Sequence, residues 1–241
     1  MPSDHTMQKT RYHLIDNIRG ICIIYVVFFH AVFNLSMLYA DAYDLLNSAV
    51  MEISQIVFVG ILILISGICT RLTRSNLRRG IKTLLAALLV TLATYIAAPN
   101  MTIIFGILHF FGVAMIIYAL TKKLIDKIPV GVGFPILTLL WALTYNMYYV
   151  APKMPKSIIL FILGFNTGHL SGDYYPLIPH LFLFMAGALL GRFFESGKAP
   201  RIFTKNPVPP LAFIGRHTLF IYLIHQPILY GATWLIYKFF M

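Results

Sequence analysis

The chain has 241 residues, of which 59% are hydrophobic and only 11% charged, with a mean hydropathy of +0.80. Soluble domains sit near ~45–50% apolar and ~25% charged, so this composition excludes a water-soluble globule, a disordered chain and a coiled coil, and makes lipid the solvent for most of the surface. The net charge of +11 would suit nucleic acid only if the basic residues gathered with interleaved aromatics, and they do not.

Uncharged runs mark the elements in chain order. Residues 20–40 lie between Arg19 and Asp41, and 53–70 between Glu52 and Arg71. Residues 83–121 form one long run that Pro99-Asn100 divides, and runs at 128–152, 174–191 and 217–237 follow. A bilayer core takes about 20 residues of helix. The pattern therefore predicts an all-α polytopic membrane bundle of about seven transmembrane helices, near 18–38, 49–70, 82–98, 102–121, 130–150, 175–193 and 213–238. Helices satisfy their own backbone hydrogen bonds in lipid, so the aromatic content does not argue for strands. The short run within 157–174 reads as an extracytoplasmic interfacial or re-entrant segment, and residues 1–13 as a polar cytoplasmic N-terminus, all within a single domain over 1–241. The first span is longer than the ~7–15 apolar residues of a signal peptide core and contains His30, so it reads as a retained helix. Cys22 and Cys69 sit in apolar runs and read as packing residues.

Basic residues set the orientation. Alternate connecting segments hold Lys9, Arg11, Arg19; Arg71, Arg74, Arg78, Arg79, Lys82; Lys122, Lys123, Lys127; and Arg192, Lys198, Arg201, Lys205, Arg216, which is sixteen of the nineteen. The positive-inside rule then predicts a cytoplasmic N-terminus and an outside C-terminus. The cluster from Arg71 to Lys82 is denser than topology needs and suits a phosphorylated ligand.

Ionisable groups inside spans cost about 2.5–3.5 kcal/mol when charged at the helix centre and are functional candidates. Here they are His30, Glu52, His109, His180 and His225, with Asp16, Arg19 and Arg216 near the cytoplasmic ends. At 100° per residue Arg19 and His30 differ by only about 20°, and Asp16 and Asn34 lie within about 60° of Arg19. One face of the first helix thus carries Asp16, Arg19, His30 and Asn34, either as a packed polar seam or as the lining of a cavity. The predicted spans put His30 and His109 about 10–12 Å from the outer surface. In the last span Thr218, Tyr222 and His225 share a face, and His225-Gln226-Pro227 marks either a structural kink or a functional break. His169, Asp173 and His180 match no standard metal spacing, so no metal site is expected. The pairs Gly187/Gly191 and Gly164/Gly168 read as close helix approaches.

Four stretches carry a resemblance. Asp16-Asn-Ile-Arg19-Gly20 leads to His30; Phe105-Gly106-Ile-Leu-His109-Phe-Phe-Gly112 follows; then Asp173-Tyr174-Tyr175-Pro176; and finally Gly215-Arg216-His217 leads through Tyr222 to His225-Gln226-Pro227. In this order they resemble the catalytic-domain family of heparan-α-glucosaminide N-acetyltransferase, among the transmembrane acyltransferases, in a short bacterial-type form. The resemblance implies an enzyme of the bacterial plasma membrane that takes acetyl-CoA from the cytosol and acetylates a carbohydrate or other small acceptor, with no metal. Membrane lipid, acetyl-CoA and the acceptor are then its partners, a second copy of the chain is a candidate partner, and nucleic acid is not one. Two departures stand out: the loop Tyr39–Asn47 lacks the histidine that the lysosomal enzyme carries there, and His180 replaces a more usual aromatic residue.

On that reading the catalytic set is His30, His109 and Asp173, and the donor-binding set is Asp16, Arg19, Arg71, Arg74, Arg78, Arg216 and His225. Arginine suits the phosphates of the donor because it binds them bidentately. The donor's arm would run along the Arg19–His30 face to the outer half. His30 would serve as general base, with His109 or Asp173 orienting it or binding the acceptor, or else it would carry the acetyl group covalently. The rival reading is a small-solute transporter or exporter that uses the intramembrane polar face, although matching broken helices in two halves are not seen.

Overall fold

In the computed structural model, residues 11–240 are described, and residues 1–10 of the predicted N-terminal segment 1–13, including Lys9, lie outside them. The helices are α1 (His13–Leu35), α2 (Ala40–Leu46), α3 (Ala49–Leu72), α4 (Asn76–Ala97), α5 (Ile107–Ile125), α6 (Val130–Thr144), α7 (Met147–Val150), α8 (Ile158–Leu163), α9 (Leu177–Glu195), α10 (Pro209–Arg216) and α11 (Thr218–Phe240). Among the described residues no strand forms, and an isolated bridge joins Phe105 to Tyr174. Among the described residues seven helical stretches are long and apolar enough to cross a membrane: α1, α3, α4, α5, Val130–Val150, α9 and Thr218–Phe239. Many large apolar side chains stay exposed, such as Leu85, Leu88, Leu89 and Leu92 of α4, as an integral membrane protein requires.

Span ends differ from those counted between charges. α4 begins at Asn76, not near residue 82, because the Ser75 hydroxyl accepts from the Arg78 amide and caps it. Arg78, Arg79 and Lys82 therefore lie within the helix. α5 begins at Ile107, not residue 102, because 102–106 is spent on pairing with a later segment. The predicted span 213–238 is two helices. The carbonyls that end α10 are taken by the His217 amide on Ile214, the Thr218 hydroxyl on Gly215 and the His217 ring on Phe213, which lets the chain turn before α11.

The chain divides into two compact units, the first holding the residues up to Leu62 and from Gly197 onward, the second Ile63–Ser196, so that the division falls inside α3. In the first unit α1 packs on α10, α11 and α2. Gly20 and Gly215 make the α1–α10 crossing: a Cβ on Gly20 would fall on the Leu211 carbonyl, and one on Gly215 on the Asp16 carbonyl. Cys22 and Ile23 are buried beside this crossing. Tyr25 stacks on Phe58 at 4.4 Å and shares a 2.7 Å hydrogen bond with Ser54.

In the second unit α4 packs on α5, and α9 on α5 and α6. Gly80 and Gly112 let α4 and α5 meet, and Gly187 and Gly191 of α9 lie against the backbone of Leu64 and Ile68, as the small-residue spacing predicted. Gly164 and Gly168 do otherwise. Their φ values of 114° and 75° place them in turns after α8, so that pair is not a helix contact.

Candidate functional site

The four sequence stretches pair off, the first with the fourth inside the first unit and the second with the third inside the second.

In the first unit α1 and α11 meet through side-chain amides. Gln226 Nε2 donates to His30 Nδ1 at 2.9 Å, and Asn34 Nδ2 donates to Gln226 Oε1 at 3.2 Å. Asn34 is buried and His30 half-buried. The His30 and His225 rings lie 5.0 Å apart, and His225 is buried at 5% exposure, its Nδ1 bonded to the Tyr222 carbonyl at 2.6 Å. That carbonyl lies next to Leu223, whose own carbonyl has no donor from Pro227 four residues on. α11 thus continues through Pro227 with polar groups of both helices turned to one another. His30 stands five residues before the end of α1, about 8 Å along the axis, nearer the terminus than the sequence spacing predicted.

At the other end of α1 the predicted seam does not join up. Asp16 pairs with Arg11 at 3.0 Å, and Arg19 is half-buried with its Nε lacking a hydrogen-bond partner. Asn17, which sequence reasoning missed, is buried and donates to Asn206 at 2.9 Å and to the His13 carbonyl. Arg216 is exposed, 5.8 Å from the Phe213 ring centre.

In the second unit the chain from Thr102 to Ile107 runs beside Ser171–Tyr175. Gly172 and Tyr175 amides donate to the Thr102 and Phe105 carbonyls, Ser171 accepts from the Ile104 amide, and Asp173 Oδ2 accepts from the Ile107 amide at 3.1 Å. Asp173 therefore sits at the N-terminus of α5, where a carboxylate meets free amides and a favourable dipole. His109 Nδ1 accepts from the Gly106 amide at 3.2 Å, and its Nε2 lies 3.1 Å from the Thr91 hydroxyl. An amide only donates, so the neutral ring carries its proton on Nε2 and gives it to Thr91. Thr91 donates in turn to the Ile103 carbonyl at 2.7 Å. Both ring nitrogens are thus engaged, Nδ1 at the cap of α5 and Nε2 in tying α5 to α4. His109 lies in the first turn of α5, because the helix starts later than hydropathy implied.

His180 is buried among Phe110, Tyr145 and Tyr175, with Nδ1 lacking a hydrogen-bond partner. Glu52 is exposed in the first turn of α3. The Tyr174 hydroxyl donates to the Phe161 carbonyl at 2.6 Å, and burial, with Tyr148 and Tyr149 nearby, raises it above the usual phenol range. His169 bonds to Thr167 at 2.7 Å. Among the described residues no group of three His, Cys, Asp or Glu side chains is placed to hold a metal ion.

The basic cluster divides by exposure. Arg71 is turned inward with its side chain 1% exposed, paired to Asp126 and to Glu195 at 3.6 Å, donating from Nε to the Ala188 carbonyl at 3.0 Å, and lying over the Tyr118 ring. Burial acts to raise the Asp126 carboxyl, but the hydrogen bonds and charges of Lys122 and Arg71 outweigh it and hold it below the usual carboxylate range. Arg74, Arg78 and Lys82 are exposed. An open groove of about 620 Å³ at the start of α4 is lined by Ser75, Leu77, Arg78, Ile81 and Lys82. Asp126 and Glu195 carried no signal as partners of Arg71, and Gln226 stood inside a quoted motif without a role.

A model of the family described as heparan-alpha-glucosaminide N-acetyltransferase, catalytic, matches residues 11–227. No curated protein and no solved structure matches the chain. The matched range contains all four stretches and both polar clusters.

Proposed function

The chain belongs to the heparan-alpha-glucosaminide N-acetyltransferase catalytic-domain family of membrane acetyltransferases, and from that premise we propose that it moves an acetyl group from acetyl-CoA on the cytoplasmic side to a hydroxyl or amino group of a sugar-like acceptor on the outer side. The basic ends of the spans orient the N-terminus to the cytoplasm. The plasma membrane of a bacterial cell is its proposed place.

The observation that carries the reading is the approach of the His30 and His225 rings to 5.0 Å at the α1–α11 contact, beside the Gln226 and Asn34 amides. An imidazole there has the chemistry for proton transfer, since one ring nitrogen donates while the other accepts. His30 and His225 are the catalytic candidates. His109 and Asp173 keep the second unit's loop in shape, so their proposed part is to hold that loop rather than to move protons.

The donor's phosphates need exposed cations, and the side chains present fit that need. Arg78 and Lys82 line a groove of suitable kind, with Arg74 close in sequence. Arg19, with Nε unpartnered, and exposed Arg216 are the candidates in the first unit. Arg71 is left out of the set because its guanidinium is already held by carboxylates. Bound acetyl-CoA would supply the thioester carbonyl that the acceptor attacks, and the protein's part is to hold the phosphates, orient the carbonyl and manage one proton.

The test is transfer by purified protein in nanodiscs, with radiolabelled acetyl-CoA and glucosamine among a panel of acceptors. Transfer by wild type that His30→Ala lowers by about 100-fold or more is expected. Full activity in His30→Ala, or solute uptake into proteoliposomes without acetyl-CoA and no transfer, would overturn it.

A further inference from the structure

Resting on the acetyltransferase reading, we propose that His225 is the proton acceptor of the reaction, and that Gln226, backed by Asn34, is a positioning residue that holds His30 as a hydrogen-bond donor. The argument comes from what the neighbouring groups can and cannot do. A carbonyl oxygen only accepts, so the 2.6 Å contact from His225 Nδ1 to the Tyr222 carbonyl puts the ring's proton on Nδ1. Neutral His225 then has its lone pair on Nε2. An amide NH2 only donates, so the 2.9 Å contact from Gln226 Nε2 makes His30 Nδ1 the acceptor and puts that ring's proton on Nε2. Asn34 Nδ2 occupies Gln226 Oε1 and so sets the direction in which the amide points. Two imidazoles with ring centres 5.0 Å apart are thereby kept in opposite tautomers by groups that do not titrate.

Opposite tautomers suit the two demands of acyl transfer. The acceptor's O–H or N–H proton passes to His225 Nε2 while the acceptor's electron pair forms the new bond to the thioester carbonyl carbon. The carbonyl π pair moves onto oxygen, which takes a hydrogen bond from His30 Nε2–H. The oxygen's pair then re-forms the double bond as the C–S bond breaks. The sulfur leaves with the bonding electrons and takes the proton from His225, which returns to its starting tautomer. Nothing is oxidised or reduced. The base role passes from His30, expected from α1 alone, to its neighbour on α11.

Glutamine distinguishes the roles, since its amide reproduces an Nε2–H donor but cannot take a proton. His225→Gln is expected to lower kcat by about 10²–10⁴-fold, while His30→Gln stays within about ten-fold of wild type and His30→Ala falls by about 10²–10³-fold. An inactive His30→Gln beside an active His225→Gln would overturn the assignment. A second readout needs no turnover. In the full chain carrying nitrogen-isotope-labelled histidine, magnetic resonance should show His225 protonated at Nδ1 and His30 at Nε2. Gln226→Glu, whose carboxylate only accepts, should switch His30 to Nδ1–H and leave His225 unchanged. The reverse tautomers, as would follow if both amides were turned, would overturn the proposal. A wild type that transfers no acetyl group would sink the catalytic roles together with the functional reading, while the tautomers stand or fall on the resonances alone.

Discussion

Gln226 of α11 and His30 of α1, 196 residues apart in sequence, meet at 2.9 Å. Asn34 completes the contact from one turn further along α1. In lipid such a bridge has no water to replace it, so the three side chains couple the two helices as a unit. What each contributes can be measured singly.

Asn34→Leu removes the donor to Gln226 and leaves a half-buried amide oxygen unsatisfied. The expected loss is about 1–3 kcal/mol of stability, read as a lower thermal midpoint in detergent. A midpoint equal to wild type would mean that the bridge does not tie α1 to α11.

At the α1–α10 crossing, Gly20→Val and Gly215→Val each place a branched side chain on a backbone carbonyl that cannot move aside. Overpacking costs about 1–3 kcal/mol where side chains can yield, and these substitutions should reach or exceed that range. Gly131→Ala, where an added Cβ meets nothing within 4 Å, is the control and should leave the midpoint unchanged or slightly raised. Equal midpoints for all three would refute the close crossing.

The basic residues should separate into structural and binding groups. Arg71→Leu takes the guanidinium from Glu195 and from Asp126, which keeps Lys122 at 2.8 Å. Because the Asp126 and Glu195 side chains are 37% and 47% exposed, water compensates in part, and the loss should fall below the ~3–5 kcal/mol of a fully buried pair. The double variant Arg78→Ala, Lys82→Ala should instead keep its thermal midpoint and raise KM for acetyl-CoA about ten-fold, as the loss of charge-assisted hydrogen bonds implies. An unchanged KM would remove the α4 groove from the donor site.

Acidification should expose the Asp126 pair. A carboxyl held low in the folded state adds stability that is full above its unfolded value of about 3.9 and is lost as pH falls through the folded value. The midpoint of wild type should therefore drop more steeply than that of Asp126→Asn as pH is lowered through this window, with a lower but flatter curve for the variant. Parallel curves would show that the carboxyl is not held by Arg71 and Lys122 as the contacts indicate.

Much of the protein can be read without coordinates. Each span is a local run of apolar residues, so its existence follows from side chains next to one another in the chain. Pro99-Asn100 separates α4 from α5 as expected, and Gly187 and Gly191 pack as their spacing suggested. Ends were less legible, because charged residues such as Arg78 and Lys122 extend helices beyond the apolar run, while Ile104 and Phe105 leave theirs to pair with Ser171 and Tyr175. His109 illustrates the limit. Its type and place in a motif marked it, but only the folded chain shows Gly106 and Thr91 filling both of its nitrogens.

The sequence by itself determined the solvent, the number of spans and which side chains share a face of α1, since these depend on composition and on the helical repeat. The tertiary structure decided what that face meets, Gln226 for His30 and Asn34, and likewise gave Arg71 the carboxylates of distant segments. The reason is physical. Helix geometry sets a residue's direction about its own axis, whereas its hydrogen-bond partner, and with it the nitrogen that holds a histidine's proton, depends on which other helix the fold brings opposite.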